Sequence, residues 1–311
     1  MPPRDRHPLV QPGNICVSDA NGALEHVVQH PAEDEELQRV LSWLQERPLE
    51  QLFTTAVDQA VQYVLDGART WRFDLNSTEV DSDERASVGT KLQYHVIAAL
   101  GLIKEKPLDT TIADIAVELK GTVRTNWMIP REGQCQICML FQVDAANDRH
   151  RAFLMRTHRV WLNRGNQDMK RSIRQDALNT YAVPLLDWTP LPRNPLKMLT
   201  AEQHAVVFDL HKGQATRLTA LFGFLPDVVI PRISILTVCA NKQDPMRRTR
   251  QIKAKVRAEH GLELLCGTWQ ADRDAAAAWG FLLPDESWVA LRSPEAPGDD
   301  AAAAPVSDVL F

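Results

Sequence analysis

The stretch LDTTIADIAVELK, residues 108–120, decides the fold class of this chain. Along residues 113–120 every second side chain is apolar, a period of two that predicts a β-strand with one apolar face and one polar face. Glu118 and Lys120 are two positions apart, so we expect both side chains on the polar face. Asp109 precedes the strand across a short turn, from which its carboxylate can reach Glu118.

Two carboxylates beside a lysine predict chemistry on a phosphate group. Mg²⁺ takes oxygen ligands and often binds a substrate phosphate as well. A bound metal ion lowers the pKa of a water ligand and offsets charge on the phosphate. We therefore predict that Asp109 and Glu118 hold Mg²⁺, for which Mn²⁺ can substitute, and that Lys120 orients or deprotonates the attacking water. The pattern alone also fits an edge strand with a solvated Glu–Lys face.

The composition is that of a globular protein, because 44% of the 311 residues are hydrophobic and 24% are charged. It argues against wholesale disorder, a collagen-like fibre and a disulfide scaffold, and the length predicts two domains. The sequence contains no apolar run of the ~20 residues that cross a membrane, and no secretory signal is apparent. Five scattered cysteines suit free thiols in a reducing cytoplasm, so we expect a cytoplasmic location and no membrane partner.

The net charge of −5 hides an uneven distribution. Residues 1–90 carry 7 arginines against 16 acidic residues, and the tail 284–311 carries one arginine against 6 acidic residues. Residues 121–175 hold 9 arginines and 1 lysine against 4 acidic residues, and residues 242–257 hold 7 basic residues against 1 acidic residue. Two basic blocks favour two surfaces for a polyanion, although two solvated faces would have the same composition.

The patterns along the chain divide it into five regions. Residues 1–32 show no sustained period and predict an irregular arm; residues 33–187 combine helical stripes with strands. The linker is predicted at residues 188–198, which contain three prolines in WTPLPRNPL. Residues 199–293 show helices, a basic helix and two short strands, the arrangement of a winged helix. Residues 294–311 are acidic and of low complexity, which predicts a disordered tail.

Within residues 33–187 the periodicity predicts several elements besides the motif strand. Apolar stripes of helical period begin at Glu33 and Leu49. Alternation predicts further strands at 136–143 and 152–162, and Asn166 can cap a basic helix.

Here the chain resembles a known family. The order helix, Pro-x-Asp, strand ending in Glu-Leu-Lys is the signature of the PD-(D/E)XK nuclease superfamily, and residues 35–292 look most like its NaeI-type restriction endonucleases. The stretches that carry the resemblance are LDGART at 65–70, VGT at 88–90, Asp109-x8-Glu118-x-Lys120, GQCQICMLF at 133–141 and VWLNRGNQDMKRSI at 160–173. Glu-Leu-Lys is also the form of the MutH-type nicking endonucleases, which lack the C-terminal half.

The resemblance implies an α/β (α+β) restriction-endonuclease-like core, the nuclease domain, at 33–187. It implies a helix-turn-helix or winged-helix DNA-binding domain at 199–293. Enzymes of this type are homodimers that cut double-stranded DNA in genome and antiviral defence, and one occupied DNA site activates cleavage at another. The family spacing favours Asp109 over Asp114, a further carboxylate on the predicted strand, as the metal ligand.

One position departs from the family. In the family, the helix before the motif carries a glutamate sixteen residues ahead of the aspartate. In this chain the residue at that position is Gln93. An amide brings no charge, but its carbonyl can hold a metal-bound water, so we include Gln93 in the catalytic group. Gln93 favours one alternative, a DNA-binding sensor or regulator that nicks weakly or not at all. A nicking endonuclease directed by modification or mismatch is a further alternative.

The loop after Lys120 supplies the first predicted DNA contacts. Arg124, Asn126 and Arg131 can read base edges in a groove, since arginine suits guanine and asparagine suits adenine. Trp127 in the same loop either takes part or anchors the loop to the core.

The second basic block supplies the other predicted DNA contacts. On one helix the spacing directs Ile252 and Val256 inward and a basic face outward. That face fits a recognition helix or a solvated surface helix, and it contains Arg247, Arg250, Lys253 and Arg257.

Cysteines and histidines give weaker signals. Cys135-x-x-Cys138 has no second such pair, so we expect core thiols and no zinc site there. His150 and His158 lie among arginines, where they either contact phosphate or are structural.

Overall fold

The computed structural model describes residues 7–18, 24–240 and 243–292. In chain order the α-helices are α1 Glu35–Gln45, α2 Leu49–Leu65, α3 Gly67–Thr70, α4 Ser82–Ala99, α5 Gln175–Tyr181, α6 Ala201–Val207, α7 Gln214–Phe224, α8 Arg232–Cys239, α9 Pro245–Gln251, α10 Lys253–His260 and α11 Gln270–Ala278. The strands are β1 Ile15–Ser18, β2 Leu24–Val27, β3 Thr110–Ile112, β4 Ile115–Thr122, β5 Met128–Ile129, β6 Ile137–Asp144, β7 Arg149–Arg156, β8 Arg171–Ser172, β9 Val183–Pro190, β10 Leu262–Cys266 and β11 Trp288–Arg292. Within this part of the chain, no helix is both long and apolar enough to span a membrane.

The chain forms two compact units. It passes between them at Asp66–Gly67, Trp71–Arg72 and Arg193–Asn194, so α3 belongs to the C-terminal unit, where it packs against α8. The last boundary falls inside the predicted linker. Strand β9 nevertheless extends through Pro190, because an edge strand tolerates proline on its unpaired side. The predicted disordered tail at 294–311 lies outside the described residues.

A mixed sheet of five strands forms the centre of the N-terminal unit, in the order β3-β4-β6-β7-β9. Strand β4 is parallel to β6, and the other neighbours are antiparallel. Alternate residues of β6 enter two different apolar clusters: Met139 and Phe141 pack with helices α1, α2 and α4, whereas Cys138 and Leu140 pack with aromatic residues on the opposite face. The expected α/β core with a central sheet is therefore present.

The motif stretch is a hairpin and not one strand. Ala113 and Asp114 have φ angles of 51° and 64°, and two such residues form the tight turn that joins antiparallel strands. Strands β3 and β4 therefore pair with Ile112 opposite Ile115. The period of two continued through the turn and concealed it. Asp114 accordingly lies in the turn and not on the polar face of β4.

The N-terminal residues contradict the prediction of an irregular arm. Strands β1 and β2 pair with Ile15 opposite Val27. Cys16 and Val28 are buried in the aromatic cluster of the N-terminal unit, and Val10 accepts a hydrogen bond from the Trp161 indole N–H at 2.8 Å. Four-residue strands are too short for the periodicity to reveal.

Two further predictions for this unit need correction. Strand β7 ends at Arg156, and residues 159–161 form a 3-10 helix. The helix predicted from Asn166 begins only at Gln175, because Arg171–Ser172 pairs with Met128–Ile129. Tertiary pairing outweighs the local helical pattern in this segment.

The C-terminal unit consists of α3, helices α6 to α11 and the antiparallel pair β10–β11. Ile230, just before α8, forms an isolated bridge to Trp288 and so adds a third extended segment beside β11. The basic segment is not one continuous helix, because α9 ends and α10 begins around Ile252. Ile252 and Val256 are buried as the spacing predicts.

Candidate active site

The hairpin β3–β4 brings Asp109 to Glu118. Thr110 lies opposite Val117, so one further step along the ladder places Asp109 opposite Glu118. Asp109 Oδ2 accepts the backbone N–H of Leu119 at 3.0 Å, and Asp109 Oδ1 lies 3.4 Å from Lys104 Nζ. The eight residues between Asp109 and Glu118 therefore form the β3–β4 hairpin, and this hairpin brings the two carboxylates near each other.

Glu118 and Lys120 lie side by side on β4. Lys120 Nζ donates to Glu118 Oε1 at 2.5 Å, and only 3% of Glu118 is exposed. Burial raises the pKa of the Glu118 carboxyl above its usual value, the Lys120 ammonium partly offsets this rise, and the charges of Asp109 and Glu132 raise the pKa further. A positive charge close to Glu118 would relieve this electrostatic strain.

Glu132 is a third carboxylate that the motif did not reveal. It lies in a 3-10 helix at Arg131–Gly133, and the next residue packs against the motif, since a Cβ on Gly133 would lie 3.2 Å from Glu118 Cγ. No spacing rule connects Glu132 to the Asp-x8-Glu-x-Lys pattern, because it belongs to a different element.

Helix α4 is fixed to β4 by a contact between two glycines. A Cβ on Gly89 would lie 2.4 Å from the carbonyl oxygen of Gly121, so only glycine allows the backbones to approach this closely. One turn later, Gln93 Nε2 donates to the carbonyl oxygen of Leu119 at 2.6 Å. Gln93 thus holds the backbone between Glu118 and Lys120.

These elements surround a cleft of about 490 Å³. Its lining combines one carboxylate with several cations and amides, namely Gln93, Lys120, Arg124, Asn126, Glu132 and Lys170. Four of these residues are sequence-predicted site residues, so the structure brings them together around one concave surface. Glu118 and Asp109 are both buried, and Glu118 is hydrogen-bonded to Lys120.

The family model for restriction endonuclease NaeI matches residues 38–311, which include the hairpin, the cleft and most of the remaining chain. This chain belongs to the restriction endonuclease NaeI family. Membership makes it a type II restriction endonuclease, which hydrolyses DNA. Restriction endonucleases generally use divalent metal ions. No curated protein matches the chain.

In the N-terminal unit of this restriction endonuclease, two of the predicted DNA contacts are exposed and one is used by the fold. Arg124 and Arg131 are exposed, and Arg124 lines the cleft. Asn126 instead serves the fold, because its Nδ2 donates to Ile173 O at 2.6 Å and its Oδ1 accepts the N–H groups of Trp127 and Ile173. The Asn126 amide thus exchanges two hydrogen bonds with the backbone of Ile173, as a paired strand residue would, and so joins the loop to the segment after β8.

Of the two roles predicted for Trp127, DNA contact and anchoring of the loop, the structure shows the second. Its side chain is 1% exposed and donates through Nε1 to the carbonyl oxygen of Phe141 at 2.8 Å. The buried ring fixes the end of the loop between β4 and β5, and the exposed Arg124 lies earlier in the same loop.

Much of the first basic block serves the fold of the endonuclease. Arg149 and Arg151 stack on Trp188, with guanidinium carbons 4.3 and 4.4 Å from the ring centroid. Arg156 makes a paired contact with Asp34. His150 is fully buried beside Thr54, which excludes a phosphate contact in this conformation. The formal charge of the block therefore overstates its DNA-binding surface.

The second basic block lies on α9 and α10 of the C-terminal unit. Arg247, Arg250 and Arg257 are exposed. Lys253 is half-buried, donates to Asp272 at 2.9 Å and lies over the ring of Trp269. Lys253 thereby secures α10 to the segment between β10 and β11.

Proposed function

We propose that this type II restriction endonuclease hydrolyses phosphodiester bonds of double-stranded DNA with Mg²⁺, or Mn²⁺ in its place, in defence against foreign DNA. The hairpin that sets Asp109 opposite Glu118, with Lys120 lining the adjacent cleft, is the observation that carries the proposal. We further propose that it acts as a homodimer with two DNA sites.

The donor set fits a divalent cation of the Mg²⁺ type. Asp109 and Glu118 supply carboxylate oxygens, the ligands that this class of ion prefers. Burial raises the pKa of Glu118, the charges of Asp109 and Glu132 raise it further, and a bound cation would offset both effects. Asp109 and Glu118 would hold the ion. The negative charge of Glu132, which acts on Glu118, would also attract it. When bound, the ion supplies a more acidic water and offsets charge on the phosphate.

Lys120 and Gln93 have different roles in this proposal. Lys120 Nζ donates to Glu118 Oε1 and can also donate to a phosphoryl oxygen or orient the attacking water. Gln93 acts through the backbone: its donation to Leu119 O fixes the register between Glu118 and Lys120. We therefore treat Gln93 as a positioning residue, whose amide oxygen can accept a hydrogen bond from a water.

The cleft supports DNA binding next to the proposed metal ligands. Arg124 and Lys170 line it and Arg131 adjoins Glu132, so these cations can contact phosphates or base edges. Asn126 contributes by holding the loop in place.

The element order of the C-terminal unit supports a winged-helix DNA-binding domain. Helix α7, the extended bridge at Ile230, helices α8 to α10 and the pair β10–β11 follow one another in the order of that fold. Arg247, Arg250 and Arg257 extend from its basic helices and would contact the DNA. One basic surface in each unit supports binding at two DNA sites.

Substitution of Glu118 by glutamine tests the proposal. The change keeps the shape but removes the carboxylate, so we expect cleavage of mixed genomic or supercoiled plasmid DNA with Mg²⁺ to fall at least ~10³-fold. DNA binding, measured by gel shift with Ca²⁺, should stay within about twofold. Glu50→Gln, on the exposed surface of α2, is the control and should cut like the unchanged enzyme.

The same assay decides between the proposal and its alternatives. Undiminished cutting by Glu118→Gln would refute the assigned site. Absence of any nicking by the unchanged enzyme with Mg²⁺ and Mn²⁺ would favour the DNA-binding regulator, which the amide at Gln93 suggests. Cutting confined to methylated or mismatched DNA would identify the modification- or mismatch-directed enzyme.

A further inference from the structure

Four side chains of types that can ligate a metal ion meet where the β1–β2 hairpin packs on the rest of the N-terminal unit. Cys16, Cys135 and His158 are buried and His26 is half-buried, and their ligand atoms all lie within 4.8 Å of one another. None of the four belongs to the proposed nuclease site. Cys16 and His26 also precede residue 38, where the match to the family begins.

The fold assembles this group from four separate segments. Cys16 on β1 and His26 on β2 are direct cross-strand partners, so their side chains extend from the same face of the hairpin. On the other side, the Cys135 N–H donates to Thr157 O at 2.8 Å and the Thr157 N–H donates to Gln136 O at 2.9 Å. This pairing sets Cys135 beside His158.

Two distances within the group are close to those expected around a tetrahedral zinc ion. Sγ of Cys16 lies 3.7 Å from Sγ of Cys135, whereas two thiolates on one zinc ion are about 3.8 Å apart and a disulfide is about 2.0 Å long. His26 Nε2 lies 3.1 Å from His158 Nδ1, a contact that a metal ion would replace. Two sulfurs and two imidazoles in this arrangement select zinc.

We propose that Cys16, His26, Cys135 and His158 bind a structural zinc ion that fastens the N-terminal hairpin to the nuclease unit. With four protein ligands the coordination is complete, as in structural sites, and leaves no position for a substrate.

The surroundings of the group support metal binding. The Arg159 N–H donates to Cys135 Sγ at 3.3 Å, the kind of second contact that stabilises a metal-bound thiolate. Cys135 has a φ angle of 64°, a strained conformation that persists where the surroundings require it. A cleft of about 740 Å³, lined by His26, Cys135 and His158, gives access to the group. Its acidic lining residues attract cations and include Glu25, Glu33, Glu35 and Glu36.

A zinc ion would meet a structural need of the hairpin. Two short strands are marginally stable on their own, and Ile15 and Val27 of this pair are more than half exposed. The hairpin region is otherwise held by contacts such as Trp161 with Val10 and Arg174 with His7. A metal joining β1, β2 and the two core segments would fix its position.

Metal analysis of the full chain tests the site. The protein is expressed with added zinc, purified with a reductant and without a metal-affinity tag, and dialysed. We expect about one zinc ion per chain, and X-ray absorption at the zinc edge should show two sulfurs at about 2.3 Å and two nitrogens at about 2.0–2.1 Å. A shell of oxygen ligands, less than a tenth of an equivalent of zinc, or a Cys16–Cys135 disulfide in the reduced preparation would overturn the proposal.

Matched variants locate the metal. Cys16→Ala should lower zinc to below a tenth of an equivalent and increase proteolysis of the first thirty residues. Cys138→Ala should keep the full equivalent, because the Cys138 sulfur instead contacts Thr157 Oγ1 at 3.3 Å. Glu118→Gln should also keep it, which separates this site from the nuclease site. Zinc retained by Cys16→Ala, or lost equally from Cys138→Ala, would refute the assignment. If Cys16→Ala does not fold, the absorption spectrum of the unchanged protein decides.

Discussion

The N-terminal unit holds two polar clusters that are built in opposite ways. Asp109, Glu118 and Lys120 come from one hairpin of the central sheet, and their register follows from a two-residue turn. Cys16 and Cys135 are 119 positions apart, and their sulfurs meet only because the N-terminal hairpin docks on a distant segment. Local pairing makes the first cluster, whereas the complete fold makes the second.

The difference predicts how each cluster responds to damage. A cluster on one hairpin keeps its internal geometry while that hairpin survives, so it is sensitive to the elements that touch β4. A cluster from four segments depends on every long-range contact that holds them. Changes at the α4–β4 contact should therefore impair cleavage and spare the Cys/His group. Changes that loosen the end of β7 should have the reverse effect.

Among substitutions outside the cluster itself, Gly89→Ala should have the largest effect on the hairpin cluster. The new Cβ would lie 2.4 Å from Gly121 O, so α4 must move away from β4. We expect cleavage to fall about 100-fold, since a displacement near 1 Å is enough for such a loss, and stability to fall by about 1–3 kcal/mol. Zinc content should not change.

Gly213→Ala is the matched control for this substitution. Gly213 lies just before α7, and a Cβ there would meet nothing within 4 Å. Plasmid cleavage and urea unfolding are measured for both variants. Equal cleavage by Gly89→Ala and the unchanged enzyme would mean that the glycine contact does not position the site.

Asp34→Asn should affect the other cluster. Asp34 caps α1 and holds Arg156, two residues before His158. Burial raises the pKa of Asp34, but the Arg156 guanidinium and the Leu37 N–H outweigh burial and hold the pKa below its usual value. The asparagine variant keeps the cap and loses the charge, so we expect a loss of about 2 kcal/mol in the free energy of unfolding near pH 7.

The pH dependence of Asp34→Asn has a definite sign. A carboxylate whose pKa is lowered in the folded state stabilises that state above its unfolded pKa of about 3.9. The difference between the two proteins should thus be complete at neutral pH and shrink as the pH falls below about 4. Glu36→Gln removes an exposed contact of Arg156 and should cost less than about 0.5 kcal/mol. An equal loss in both variants would contradict the buried role of Asp34.

The same contrast explains what the sequence could predict. The local motif was sufficient to anticipate that Asp109 would lie beside Glu118, although Ala113 and Asp114 gave no sign of a turn. Glu132 enters from another element, and no local period points to it. The CxxC spacing linked Cys135 to Cys138, whereas the structure groups Cys135 with Cys16 through a long-range contact that sequence periods do not encode.

Charge was the least specific signal, because a count of arginines does not separate surface from structure. Arg124 lines the cleft, but Arg156 is held by Asp34 and Arg151 stacks on Trp188. Likewise, no glycine or proline marks the break between α9 and α10 at Ile252. Which charges face DNA depends on tertiary partners that composition omits.

Gln93→Leu has the smallest expected effect on cleavage among these substitutions. It tests whether the hydrogen bond from Gln93 to Leu119 O supports catalysis. The leucine cannot donate to Leu119 O, so the backbone between Glu118 and Lys120 loses one restraint. We expect kcat for cleavage to fall about tenfold with little change in KM, since the substrate contacts remain. Gln51→Leu, at an exposed glutamine on α2, is the control and should cut normally.

Gln93→Glu separates positioning from metal binding at the same position. An ionised glutamate cannot donate to a carbonyl, so if the hydrogen bond to Leu119 is the function of Gln93, this variant should cut as slowly as Gln93→Leu. Faster cleavage by Gln93→Glu than by the unchanged enzyme would instead identify the position as one for a metal ligand. In that case a metal ligand at position 93 on α4 would add to the carboxylates of Asp109 and Glu118, and the hairpin alone would not supply the complete metal site.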